Sequence, residues 1–191
     1  MSRIARILFV SLITLVILAG VAAIYLIWED EDREQATQSL EGVDKFEARS
    51  DPVEVPNITF EDGEHGKRML SEFRGQIVLI NFWATWCAPC VRELPSLDRL
   101  QKRLKGKGVT VIALSLDRGG AQAVREFYDE VGIRHLGVYV DPTMDAQQAF
   151  AIPGLPTTVL IDREGRDRGR LIGPANWDSK DAKNLVLSAD E

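Results

Sequence analysis

Cys87 and Cys90 are the only two cysteines in a chain of 191 residues. Ala88 and Pro89 separate them, so on a helix the two sulfurs stand about one turn apart. Thiols at that spacing can close and open a disulfide, and the thiolate is the attacking species in such an exchange. The pair follows an apolar run and precedes a segment of helical periodicity. That places it in the first turn of a helix, where unpaired N–H groups and the helix dipole favour negative charge. Cys87 is then the nucleophile and Cys90 the resolving thiol. Pro89 lacks an N–H and has a helical φ, which suits a helix start. It also restricts Ala88 and so fixes the loop. Two other readings of the spacing exist, half of a zinc site and an inert structural disulfide. Zinc needs two more ligands, and only His65 and His135 can offer imidazole. Neither stands at zinc-finger spacing from the pair, so no metal is expected. Both histidines read as surface residues.

The elements that must hold this pair can be read from periodicity. Residues 76–83 form a short apolar run after Gly75, which predicts a buried central strand. Residues 89–105 carry Val91, Leu94, Leu97, Leu100 and Leu104 at helical spacing, and Gly106 and Gly108 end that helix. A second buried strand is predicted at 109–116, a helix at 121–131, a short strand at 137–140 and a short helix at 145–150. Strands follow at 157–162 and 170–172, with a turn at Glu164-Gly165 between them. A closing helix spans 178–187, capped by Asp178 or Ser179. This alternation implies an α/β sheet, parallel at its centre.

Outside this region the charge is unevenly spread. Residues 7–28 carry no charge, and as a helix they would span about 33 Å, close to a bilayer core of about 30 Å. Arg3 and Arg6 precede the run and Glu29–Asp32 follow it, which predicts a single-pass anchor with the N-terminus in the cytoplasm. A cleaved signal peptide is the competing reading, with Ala19, Gly20, Ala22 and Ala23 as a cleavage region. Either reading puts the remainder outside the cytoplasm. The expected organisation is a cytoplasmic tip at 1–6, the anchor at 7–28, a polar stalk at 29–52 and a domain at 53–191. The net charge of −6 argues against a nucleic-acid partner, which would call for a basic face. It also argues against adhesion to anionic lipid, so membrane attachment should rest on the apolar run.

The segment Asn81-Phe82-Trp83-Ala84-Thr85-Trp86-Cys87-Ala88-Pro89-Cys90 resembles the active-site segment of the thioredoxin superfamily. Val91-Arg92-Glu93-Leu94-Pro95 and Gly154-Leu155-Pro156-Thr157-Thr158 resemble its membrane-anchored TlpA/ResA-like thiol–disulfide oxidoreductases. Residues 139–144 and 173–179 look like the TlpA members in particular. The resemblance implies a thioredoxin-like α/β fold: a central mixed sheet flanked by helices, with an inserted helix–strand segment at about 118–150, preceded by one N-terminal transmembrane helix. It also implies a cis Leu155–Pro156 peptide facing the cysteines. Trp86, Ala88, Pro89, Leu155 and Pro156 would then bind substrate. Glu93 is either a solvated helix carboxylate or, as the resemblance implies, a buried acid near the thiols that tunes them or relays a proton. Asn81 stands where thioredoxin has a buried aspartate, and an amide cannot serve as acid or base. Trp83 and Trp86 flank the pair, the first expected beneath it and the second at its rim, while Trp177 reads as structural.

The resemblance further implies net reduction of client disulfides, with clients in cytochrome c maturation or in oxidase copper-site assembly. Re-reduction would come from a membrane electron donor of the DsbD/CcdA type, with the domain in the periplasm or another extracytoplasmic space on the inner membrane. The expected redox group is the Cys87–Cys90 disulfide itself, without a cofactor. Three alternatives stand beside it. A dithiol oxidase would donate disulfides, and only the reduction potential separates that direction. A peroxidase would call for a Pro-x-x-x-Thr-x-x-Cys pattern, absent here. A copper-carrying assembly factor would use CxxxC and a distant histidine rather than CxxC.

Overall fold

The run at 76–83 becomes strand β4 (Ile77–Trp83), and all seven of its residues are buried. Side chains alternate along a strand. Ile77, Leu79 and Trp83 face one apolar cluster, and Val78, Ile80 and Phe82 face a second on the other side of the sheet. Asn81 therefore points into the first cluster, the only polar side chain on that face of β4. In the computed structural model the described residues are 42–190, with Gly20 and Val21. The chain divides into two compact units, 1–39 and 40–191. Of the first, Gly20 and Val21 are helical, and the expected anchor otherwise lies outside the described residues. Among the described residues no helix is long and apolar enough to cross a membrane.

In the second unit β4 is flanked by β5 (Val109–Ser115), parallel to it, and by β7 (Thr157–Ile161), antiparallel. The other strands are β1 (Glu47–Glu54), β2 (Thr59–Asp62), β3 (Gly66–Met69), β6 (Tyr139–Val140) and β8 (Arg166–Ile172). They form one mixed sheet in the order β1-β8-β7-β4-β5-β6-β2-β3. Helix α1 (Ala88–Leu104) lays Cys90, Glu93, Leu94, Leu97, Leu100 and Leu104 on one buried stripe against the first face. Gly106 and Gly108, both at positive φ, turn the chain after it. Helix α2 (Gly120–Val131) adds Val124 and Tyr128 to that face, and α4 (Lys180–Leu187) adds Ala182 and Val186. The Ser179 side chain caps α4 by accepting the Ala182 N–H. Helix α3 (Asp145–Ala149) packs Ala146 on the second face. Residues 118–150, the predicted insertion, thus supply α2, β6 and α3.

One expectation is corrected here, and one element is added. The folded unit starts before residue 53: Val43 is buried in the first cluster, and Glu47–Glu54 pairs with β8 as an edge strand. Its sequence EARSDPVE resembles a stalk because both faces of β1 meet solvent, so nothing in it alternates. The register shift between Ala48 and Val53 accommodates Pro52. The hairpin of β2 and β3 was also not foreseen. It is four residues a side and mostly exposed, with Phe60 its one large inward side chain.

Candidate redox site

Cys87 is the last residue before α1, in extended conformation, and Pro89 is the second helical residue. Cys87 and Cys90 are joined by a disulfide. Cys87 keeps 6% of its surface exposed and Cys90 none, so of the two residues only Cys87 meets the outside. The turn before Cys87 is pinned from the end of β5. The Asp117 carboxylate accepts the Thr85 N–H at 2.9 Å and the Thr85 hydroxyl at 2.7 Å. Ser115 Oγ donates to the same carboxylate at 2.7 Å. The Leu116 N–H donates to the Trp83 carbonyl at 2.9 Å.

Around the exposed edge of the disulfide lies a surface depression. Trp86, Cys87, Ala88 and Pro89 form one side, with Leu116, Met144, Gln147, Gly154 and Leu155 completing it. Trp86 is 68% exposed at this rim, whereas Trp83 is fully buried and stacks on Tyr128 at 5.8 Å between ring centres. The Leu155–Pro156 peptide is cis. Leu155 reaches the depression; Pro156 is buried behind it, and its carbonyl accepts the Gly173 N–H at 2.9 Å. A second depression, beside Leu70, Phe73 and Ile161, contains neither cysteine nor histidine.

Glu93 lies one turn beyond Cys90 on the buried stripe of α1 and has no exposed surface. It is not a solvated carboxylate. Asn81 Nδ2 donates to Oε1 at 2.7 Å. Oε2 accepts the Ala175 N–H at 2.9 Å and Trp177 Nε1–H at 3.2 Å. Asn81 also donates to Thr158 Oγ1 on β7 at 2.9 Å. Burial pushes the Glu93 pKa up to about 7; the three hydrogen bonds oppose that rise without cancelling it. An acid poised near neutrality beside a thiol pair can take and return a proton at working pH.

The predicted residues thus separate into a rim (Trp86, Cys87, Ala88, Pro89, Leu155) and a buried layer (Cys90, Glu93, Pro156). Sequence reading missed the groups that hold them. Trp177, which reads as structural in the sequence, donates its indole N–H to Glu93. Asn81 was weighed as a lost acid, and is instead the amide partner of one. The burial of Asn81 and Glu93 follows from period-2 counting back from Trp83 and helical counting on from Cys90, whereas Trp177 lies in the loop between β8 and α4 and has no such signal. Asp117, Met144 and Gln147 had no such signal, because they come from loops and a five-residue helix. His65 and His135 are exposed. Among the described residues no group of three or more His, Cys, Asp or Glu could hold a metal ion.

A closable cysteine pair at the start of a helix, on a mixed sheet with helices on both faces, defines a thioredoxin-like thiol–disulfide oxidoreductase. Residues 53–167 match the AhpC/TSA family. The thiol–disulfide oxidoreductase ResA of Bacillus anthracis is 36% identical over 120 residues, covering 63% of this chain and 68% of the relative. ResA of Bacillus subtilis is 36% identical over 121 residues, covering 63% and 66%. Among solved structures, a Chlorobium tepidum protein provisionally described as the thiol:disulfide interchange protein DsbE superposes with a TM-score of 0.64. It is 28% identical, with 72% of this chain and 96% of that one covered. The chain belongs to the AhpC/TSA family and, within the thioredoxin superfamily, to the ResA-like thiol–disulfide oxidoreductases.

Proposed function

We propose that this protein reduces disulfides in client proteins outside the cytoplasm, tethered to the inner membrane by residues 7–28 and spaced from it by the polar stretch that follows. The observation that carries the reading is the asymmetry of the pair: Cys87 lines the surface depression and keeps a small exposed area, while Cys90 has none. In the reduced enzyme, the Cys87 thiolate attacks one sulfur of the client disulfide. The other client sulfur leaves as a thiolate and takes a proton from water. Cys90 gives its proton to the Glu93 carboxylate, and its sulfur attacks Cys87 Sγ in the mixed disulfide. That breaks the bond to the client, whose second thiolate takes up the proton released through Glu93. Two electrons have passed to the client, and the enzyme holds the Cys87–Cys90 disulfide seen here.

An exported dithiol must be recharged in an oxidising space. A membrane electron donor of the DsbD/CcdA type would do so, and the clients would be apocytochrome c or copper-site proteins of an oxidase. Support for these partners is the resemblance of residues 81–95 and 154–158. The test is the reduction potential of the pair in the detergent-solubilised full chain, equilibrated against dithiothreitol or glutathione buffers and read by Trp86 emission. A value more negative than about −230 mV is expected. A value near about −120 mV, at the oxidant end of the range, overturns the reductase direction and makes the protein a disulfide donor.

A further inference from the structure

Met144 has φ 63° and ψ 17°, the left-handed region that side chains avoid and glycine enters freely. The turn that imposes this is held by a buried carboxylate. Asp141 Oδ1 accepts the Thr143 hydroxyl at 2.6 Å and the Thr143 N–H at 3.2 Å, and Oδ2 accepts the Ala146 N–H at 2.7 Å. A glycine would fit this backbone better, so the methionine side chain has to be accounted for by what it touches. It packs in part against the second core cluster and also lines the depression that exposes Cys87, together with Trp86, Pro89 and Leu155. Gln147, in the short helix that follows, lines the same depression.

We infer that Met144 is a specificity-determining residue: it receives a large apolar side chain flanking the reacting cysteine of an extended client segment. The occupant is set by what the groove contains. Its one reactive atom is the Cys87 sulfur, so the segment must bring a cysteine there, and the neighbouring residue falls against a wall of Met144, Trp86, Leu116 and Leu155. A thioether on an unbranched chain adapts to differently shaped apolar partners. The Gln147 amide is a polar side chain among the lining residues and offers a hydrogen-bonding group to the backbone of the segment.

The inference rests on the exchange chemistry proposed for Cys87 and is tested on the full chain in detergent. Two peptide disulfides are used, identical except for leucine or glycine next to the reacting cysteine. Wild type is expected to show a roughly five- to tenfold higher kcat/KM for the leucine peptide, carried mainly by KM. Met144→Gly should bring the ratio close to one, and Met144→Leu should keep it. Glycine adopts this backbone without strain, so the variant is expected to fold, and circular dichroism checks that it does. A wild-type ratio near one, or a ratio that survives in Met144→Gly, overturns the inference while leaving exchange at Cys87 intact. If wild type reacts with neither peptide, the exchange reading fails and the inference with it.

Discussion

Glu93 is a buried carboxylate whose three hydrogen-bond partners, Asn81, Ala175 and Trp177, are all neutral. Its pKa near 7 exceeds the ordinary 4.5, so between those two pH values the folded protein keeps a proton that the unfolded chain has released. Stability therefore falls as pH rises through that window, by about 3 kcal/mol in total from this group, and is level above it. In Glu93→Gln this slope should vanish. The amide can still accept from Ala175 and Trp177, and Asn81 Oδ1, buried without a partner, can accept its NH2 by rotation of the Asn81 amide. Urea unfolding at pH 5 and pH 8 checks this: the variant should be the more stable protein at pH 8, while resolving mixed disulfides more slowly there. Asp117 acts on the loop instead. Asp117→Ala removes both bonds to Thr85 and should cost about 2 kcal/mol in denaturant unfolding, with a change in Trp86 emission. That Glu93 is buried could be counted from the stripe on α1. That its partners include a tryptophan 84 residues away could not, because no local pattern relates them.

At the scale of elements, β4, β5 and α1 were legible because each is buried along a continuous run or stripe, and burial is what hydrophobic periodicity records. The edges were not. Strand β1 is held by backbone pairing to β8 rather than by its own side chains, so its composition is that of a surface loop. Its charges and Pro52 also discourage pairing with another chain. The pairing depends on Gly169, which has φ 141°; a Cβ there would meet the Glu47 carbonyl at 2.4 Å and the Phe46 ring. Gly169→Ala should destabilise the protein by about 2 kcal/mol. Hydrogen exchange should show the loss first in the amides of β1, with those of β4 and β5 keeping their relative protection. The cysteine pair sits on the protected side of that divide, which is where a site that must hold its geometry through many turnovers belongs.

For the whole molecule, charge and anchor make a joint prediction. The chain is acidic overall, and removal of its first 28 residues takes away two arginines and no acid. The proposed attachment through residues 7–28 should then withstand high-salt and carbonate washes, since it would not rely on electrostatic contact with anionic lipid. Cleavage between residues 29 and 41 should release a soluble fragment that still carries the Cys87–Cys90 disulfide. Intact mass of the membrane-bound protein should equal that of the full chain. A mass short of residues 1–28, or release by salt alone, counts against the anchor. The clasp on Glu93 has a bearing on biosynthesis as well. The cysteines leave the ribosome some 85 residues before Ala175 and Trp177. Until that last stretch docks, Ala175 and Trp177 neither cover Glu93 nor donate to it, and the burial that lifts its pKa is incomplete. The environment that tunes the acid is therefore the last part of the site to be assembled.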